Sequence, residues 1–154
     1  MSEVITYRDA MALDIPVFVS LDKQLFPYSP WSGAQYKEEF AQMPRTRHFV
    51  VALDKTQSII GYAGILAPAP EVEADILTVG VVPEHRGKGI ARQLISLITD
   101  FAVDRHASAM MLEVKSDNVE AIGLYESLGY SKISVRKDYF GTGLDALIMR
   151  RELP

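Results

Sequence analysis

Arg86-Gly87-Lys88-Gly89 follows a strand and opens an amphipathic helix, an order of residues that builds an anion site. The first amides of a helix lack intrahelical acceptors and sit at the positive end of its dipole. Such a turn therefore offers main-chain donors and cationic side chains to a phosphate. The two glycines suit a tight turn and leave no β-carbon between the main chain and a bulky ligand. Spacing removes two common phosphate motifs. Lys88 is followed by glycine rather than by Ser or Thr, so the run is not a P-loop. It also lacks G-x-G-x-x-G with an acidic residue after a following strand. What remains is R-x-x-G-x-A at Arg86, Gly89 and Ala91.

Two further residues could move protons. Glu113 lies near the end of the apolar run Ala109-Met110-Met111-Leu112-Glu113-Val114, on the face opposite Met110, Leu112 and Val114. Beside a cleft it is placed to act as a general base. An α-amine has a reference pKa of roughly 8 and must lose a proton before it attacks a carbonyl. Tyr125, twelve residues later, shares a helical face with Ala121, Ile122 and Leu128 and points toward a sheet, where its hydroxyl could donate a proton. By periodicity alone the plainer readings lead. Glu113 then reads as a strand-end charge beside Lys115, and Tyr125 as a core aromatic whose hydroxyl finds an acceptor.

These residues need a scaffold, and the patterning supplies one. Ile76, Thr78, Gly80 and Val82 alternate with Leu77, Val79 and Val81, which makes both faces nearly apolar and the strand central. Gly80 weakens such a strand, so it marks a bulge or a place where a backbone or ligand comes close. An extended, amide-bearing ligand such as pantetheine could pair there as a pseudo-strand. The helix after Gly89 turns Ile90, Leu94, Leu97, Ile98 and Phe101 to one side, with Arg92, Gln93, Ser96, Thr99 and Asp100 opposite.

Upstream, Val4 to Asp9 reads as a strand. Asp14 and Pro16 open a helix carrying Val17, Phe18, Leu21 and Leu25 inward. Ser32 and Gln35 form a capping box for a second helix, with Trp31 and Tyr36 at the positions of a hydrophobic staple. Trp31 is thus first a structural residue and only second a substrate contact. Arg47 to Leu53 and Ile59 to Leu66 read as a hairpin, ended by Pro68 and Pro70. Glu71, Glu73 and Asp75 make an acidic edge that could attract an ammonium group, although such loops are more often simply solvated. Downstream, Asn118 to Leu128 is a helix ended by Gly129, with Asn118 a candidate cap, and Tyr130 to Tyr139 and Leu144 to Glu152 are a last pair of strands.

At 154 residues the chain predicts one domain over 1–154 that buries roughly two thirds of its unfolded surface. No apolar run approaches the roughly 18 residues of a membrane span, and the start MSEVITYRDA lacks a basic head followed by an apolar stretch, so a cytoplasmic protein without a membrane partner is expected. The absence of cysteine excludes a disulfide framework, a zinc-thiolate site and a cysteine acyl-enzyme. His48, His85 and His106 have no ligand spacing and no G-x-S-x-G occurs, so neither a metal site nor a serine triad is expected. The net charge of −4 argues weakly against nucleic acid and weakly for cationic partners.

Strand, glycine turn and helix together resemble the acetyl-CoA site of the GCN5-related N-acetyltransferases, whose pyrophosphate loop reads Q/R-x-x-G-x-G/A. The resemblance covers most of the chain. It implies an α+β, single-domain GNAT fold: a twisted, mostly antiparallel mixed sheet of about seven strands flanked by about four helices, with central strands splayed for acetyl-CoA. It also implies that the backbone of Val79, Gly80 and Val81 holds the acetyl and pantetheine groups. Arg86, Gly87, Lys88, Gly89, Ile90, Ala91 and Arg92 would hold the pyrophosphate.

The segment LEVKSDNVEAIGLYESLGY is similar to L-E-V-R-x-S-N-x-x-A-I-x-L-Y-x-S-L-G-F of the branch that acetylates the amino-terminal alanine of a ribosomal protein. That similarity implies Glu113 as proton acceptor, Tyr125 as proton donor and Asn118 as a CoA contact. It implies acetyl-CoA as co-substrate, no metal, direct transfer in a ternary complex, and a protein or peptide amino terminus as acceptor partner, in that branch a small-subunit ribosomal protein. Phe26-Pro27 and Pro30-Trp31-Ser32 resemble the family's F-P-W-S loop with Tyr28, Ser29 and Pro30 intervening, and Tyr28, Trp31 and Tyr139 are the candidate acceptor contacts. The departures lie on that side. The family's Tyr-Tyr pair is Tyr139-Phe140 here, and Gly141-Thr142-Gly143 is a shorter connection, although Asp145-Ala146 is kept. Two other readings share the donor site: acetylation of a small free amine or a lysine side chain, and a non-catalytic acyl-CoA-binding module.

Overall fold

The structure, a computed structural model, describes residues 4–154. Seven strands form one sheet: β1 (Thr6–Asp9), β2 (Arg47–Leu53), β3 (Ile59–Leu66), β4 (Ala74–Val81), β5 (Ala109–Lys115), β6 (Ser131–Arg136) and β7 (Ala146–Glu152). Their order across the sheet is β1-β2-β3-β4-β5-β7-β6, and every pairing is antiparallel except that of β4 with β5. The helices are α1 (Ile15–Leu25), α2 (Gly33–Phe40), α3 (Ile90–Asp104) and α4 (Val119–Ser127), with 3-10 turns at Ala12–Asp14 and Pro83–His85. This is the mixed α+β sheet that the resemblance implies. No helix among the described residues is long and apolar enough to cross a membrane.

One core cluster packs α3 onto the sheet. Ile90, Leu94, Ile95 and Ile98 meet Val50, Ile65 and Ile76 there, with Leu97 and Phe101 partly buried at the margin. The other face is covered by α1 and α2, where Phe18, Leu21, Tyr36, Phe49, Val51 and Tyr62 form a second, aromatic-rich cluster. The capping box of α2 forms as expected. The amide of Gln35 donates to Ser32 Oγ at 3.1 Å and the amide of Ser32 donates to Gln35 Oε1 at 2.7 Å. Trp31 packs against Tyr36 with ring centroids 5.0 Å apart, which completes the staple.

Several local expectations are corrected. Asp14 does not cap α1. The chain already turns over Ala12–Asp14, and both carboxylate oxygens of Asp14 are taken by the Arg8 guanidinium at 2.7 and 2.9 Å. Val17 faces solvent at 39% exposure, because the inward stripe of α1 runs through Phe18 and Leu21 instead. The last strand pair is shorter than its apolar pattern suggests. Asp138, at φ 55°, gives its amide to Asp145 Oδ1 at 2.9 Å and accepts from the Gly143 amide at 2.7 Å, which closes a turn where β6 would otherwise continue.

Candidate active site

The site begins where β4 and β5 part. They pair only at Ala74 with Met110 and Asp75 with Met111, so the rest of β4 and the end of β5 leave a gap in the sheet. The β3–β4 ladder decides which groups face it. The Val82 amide donates to the Ile60 carbonyl at 2.9 Å, and alternation then makes Tyr62 and Gly80 a hydrogen-bonded pair. Val79 and Val81 stand opposite Ala63 and Gly61 in the intervening positions, so their amides and carbonyls are directed away from β3 and toward the gap. The Val81 carbonyl accepts from Arg86 Nε at 3.2 Å on that side.

Two cavities meet in the gap. The larger, about 670 Å³, is walled by Val79, Gly80 and Val81 on β4, by Arg86, Gly87, Gly89, Ile90, Ala91 and Arg92 at the start of α3, and by Asn118, Ala121 and Tyr125 on the α4 side. Gly87 and Gly89 both adopt φ 78°, a left-handed conformation that a β-carbon disfavours, and no atom lies within 4 Å of where one would stand. The cradle at the head of α3 is therefore open main chain. Lys88 sits in the same turn as Gly87 and Gly89. It does not line this cavity, and its Nζ lies 3.3 Å from Nδ1 of His85, which does.

Gly80 lines the larger cavity, and side chains of the protein also approach it closely. A β-carbon there would stand 3.0 Å from Leu25 Cδ1 and from Tyr62 Cε1, so the protein's own side chains fill that space. Asn118 caps α4, accepting from the Ala121 amide at 3.2 Å, and lies on the walls of both cavities.

The second cavity, about 350 Å³, holds the acid–base candidate and the aromatic residues. Glu113 is on its wall, with Asp75 and Thr78 from β4, Asp22 from α1, Tyr28 and Trp31 from the segment between α1 and α2, and Tyr139 and Phe140 from the connection between β6 and β7. Lys115 does not pair with Glu113. Its Nζ lies 3.2 Å from Asp117 and 5.2 Å from the centre of the Tyr28 ring. The Glu113 carboxyl is raised above its usual range by burial first and by the neighbouring charge of Asp75 second, against a smaller opposing pull from Arg136. Asp75 is itself raised, by burial and then by Glu73.

Tyr125 belongs to both cavities. Its ring is buried, 5.6 Å from that of Tyr130, and burial, followed by Tyr130 and Tyr28, pushes its phenol upward so that it keeps its proton at neutral pH. Tyr28, Phe26, Val79, Lys115, Asn118 and Ala121 are likewise common to both walls, and the cavities form one continuous cleft through the sheet.

Sequence reading misses two residues of the smaller cavity. Asp75 is legible only as part of an acidic edge, because its pairing with Met111, which sets it on the same sheet opening as Glu113, is a tertiary fact. Asp22 leaves no signal in an otherwise ordinary helical pattern, yet it is 2% exposed.

The chain is similar to known proteins in sequence and in fold. The sequence pattern of the acetyltransferase (GNAT) family matches residues 17–130. The N-alpha-acetyltransferase RimI of Mycobacterium tuberculosis is 35% identical, an alignment covering 98% of this chain and 94% of that protein. An uncharacterized protein of Mycobacterium leprae is 36% identical over 90% of this chain, which spans only 38% of that longer relative. Among solved structures, the ribosomal-protein-S18-alanine N-acetyltransferase of Escherichia coli superposes with a TM-score of 0.80 at 23% identity, covering 97% of this chain and 94% of that one.

Proposed function

This chain belongs to the acetyltransferase (GNAT) family of acyltransferases, and from that premise we propose that it is an acetyl-CoA-dependent N-alpha-acetyltransferase of protein amino termini. The proposed acceptor is the amino-terminal alanine of a small-subunit ribosomal protein, a reading supported by the likeness to the Escherichia coli protein named as a ribosomal-protein-S18-alanine N-acetyltransferase. The observation that carries the reading is the position of Tyr125 on the walls of both cavities. Glu113 lies only on the smaller cavity, and Val81, Gly87 and Gly89 only on the larger. Two ligands could then be held at once and meet beside the phenol.

The larger cavity has the size and the donors for a nucleotide-bearing thioester: open glycine main chain, Arg86, Arg92 and the head of α3 for phosphates, and outward β4 amides for an extended amide chain. When bound there, acetyl-CoA supplies an activated acyl carbonyl. Glu113, its basicity raised above that of a free carboxylate, takes the proton from the acceptor's ammonium directly or through water. The amides of Val79 and Val81 are aimed where negative charge develops on the carbonyl oxygen. Tyr125 offers its proton to the departing sulfur, and the burial that holds the phenol protonated raises the basicity of a thiolate in the same place. The chain has no cysteine to form an acyl-enzyme, and the proposed transfer runs directly from donor to acceptor with both bound together.

The test is acetyl-CoA turnover against short peptides that differ in their first residue, alongside amino-terminally blocked peptides with an internal lysine, and polyamines. Preference for a free alanine terminus supports the proposal. Turnover of small amines or lysine alone would replace the acceptor, and the absence of any turnover with intact acetyl-CoA binding would favour a binding module.

A further inference from the structure

Two acidic side chains are buried in the described structure, Asp14 and Asp22, and they are held differently. Asp14 is neutralised by Arg8. Asp22 takes two neutral donors: the Tyr62 hydroxyl on Oδ1 at 2.5 Å and the Trp31 amide on Oδ2 at 3.0 Å. The hydroxyl of Tyr36 is buried outside hydrogen-bond geometry but close to the same carboxylate, and burial first, then Asp22, pushes that phenol upward. A buried carboxylate is costly, and a well-packed apolar residue commonly does as well or better for stability. The neighbours of Asp22 on the inward face of α1 are of that kind, Phe18 and Leu21. Stability alone therefore does not call for an acid here.

The two partners of Asp22 carry the two halves of the cleft. Trp31 is a wall of the smaller cavity and the end of the segment that also presents Tyr28. Tyr62 pairs with Gly80 on β4, and its ring occupies the space where a Gly80 side chain would be. β4 in turn presents Val79 and Val81 to the larger cavity. One carboxylate thus ties the wall of the smaller cavity to β3, the strand on which β4 is paired.

We propose that Asp22 is a positioning residue for acceptor recognition, a brace that sets the Tyr28–Trp31 segment at a fixed height over β4. This rests on the assignment of the smaller cavity to an amino-terminal acceptor. It gives a further specificity determinant that touches neither substrate's reacting atoms. Without the brace, the Trp31 amide loses its acceptor and the segment is free to move across the cleft, which weakens acceptor binding while the glycine cradle at α3 is untouched.

Two substitutions at Asp22 separate brace from charge. In Asp22→Asn, the amide oxygen can still accept from Trp31 and the amide nitrogen can donate to Tyr62, whose hydroxyl rotates to accept, so both ties persist without the charge. In Asp22→Ala both are lost. With an alanine-initiated peptide as acceptor, Asp22→Ala is expected to raise the peptide KM about tenfold, with kcat and the acetyl-CoA dissociation constant within about threefold of wild type. Asp22→Asn is expected to keep the peptide KM within about threefold, and Tyr62→Phe, which removes one tie and keeps the ring, to fall between.

An unchanged peptide KM in Asp22→Ala, with only the melting temperature lowered, would overturn the proposal. So would equal losses in Asp22→Asn and Asp22→Ala, which would assign the effect to charge. Should Asp22→Ala not fold, an unchanged peptide KM in Tyr62→Phe overturns the brace equally. Wild-type turnover of the peptide is scored separately and decides the acceptor assignment itself.

Discussion

Tyr28 and Phe140 meet edge to face across the mouth of the smaller cavity, ring centroids 5.1 Å apart at 71°. They come from distant parts of the chain, one between α1 and α2 and the other between β6 and β7, so their contact joins two segments that wall the smaller cavity. The position where the family resemblance calls for a second tyrosine is thus used here for ring packing. Such a pair contributes about 0.5–1.5 kcal/mol beyond its buried area. Phe140→Ala is therefore expected to raise the acceptor KM about two- to tenfold and to leave the acetyl-CoA dissociation constant less changed. Phe140→Tyr preserves the contact and is expected to behave close to wild type. Initial-rate kinetics with each substrate varied in turn check this, and equal effects on both substrates would contradict it.

The pH dependence of kcat/KM should report Glu113. A general base works only when unprotonated, so activity rises as pH passes upward through its pKa. Burial and Asp75 hold that pKa above the ordinary carboxylate range, and Arg136 pulls it down. Asp75→Asn removes a repulsion, so Glu113 releases its proton more readily and the acid limb moves to lower pH. Arg136→Ala has the opposite sign and moves the limb to higher pH. Glu113→Gln is expected to abolish this limb and to lower the rate at neutral pH by about 10²- to 10⁴-fold, less severely at high pH where more amine is already deprotonated. An Asp75→Asn profile coincident with wild type would detach the limb from Glu113.

Tyr125→Phe isolates a single hydroxyl. The ring remains to fill its place against Tyr130, so the fold and the larger cavity are expected to persist. A fall in kcat of about 10²-fold with an unchanged acetyl-CoA dissociation constant is the expected signature of a lost proton donor. An unchanged kcat would return Tyr125 to the role of a core aromatic.

What can be read in the residues is what local physics dictates. The period of α3, the capping box at Ser32 and Gln35, the apolar runs of the β2–β3 hairpin and the alternation in β4 are all short-range, and the elements stand where those patterns put them. The capping expectation at Asp14 fails because the competing partner, Arg8, lies on another element and overrides the local preference. Gly80 marks a close approach of side chains as well as lining the larger cavity, and its pairing with Tyr62 is a register fact that no single strand contains. Asp22 and Asp75 are illegible as site residues for the same reason. The order of motifs along the chain carries much of the larger cavity, whereas the smaller one is assembled from segments far apart in sequence.

Gly89 and Gly123 provide a matched pair, since in both cases a β-carbon would meet nothing within 4 Å. The same substitution should nevertheless have opposite signs. Gly89 sits at the head of α3 with φ 78°, so Gly89→Ala carries a dihedral cost of about 1 kcal/mol. Its methyl group would also enter the larger cavity at the anion cradle. A lower melting temperature is expected, together with a loss of acetyl-CoA affinity larger than tenfold, about 1.4 kcal/mol or more. Gly123 lies within α4 in ordinary helical conformation and lines neither cavity. There alanine reduces the conformational freedom of the unfolded chain, so Gly123→Ala is expected to stabilise the protein by about 0.5–1 kcal/mol and to leave turnover unchanged. Thermal unfolding and acetyl-CoA titration on the two variants decide the matter. If Gly89→Ala bound acetyl-CoA as wild type does, the head of α3 would not be the phosphate cradle, whatever its effect on stability.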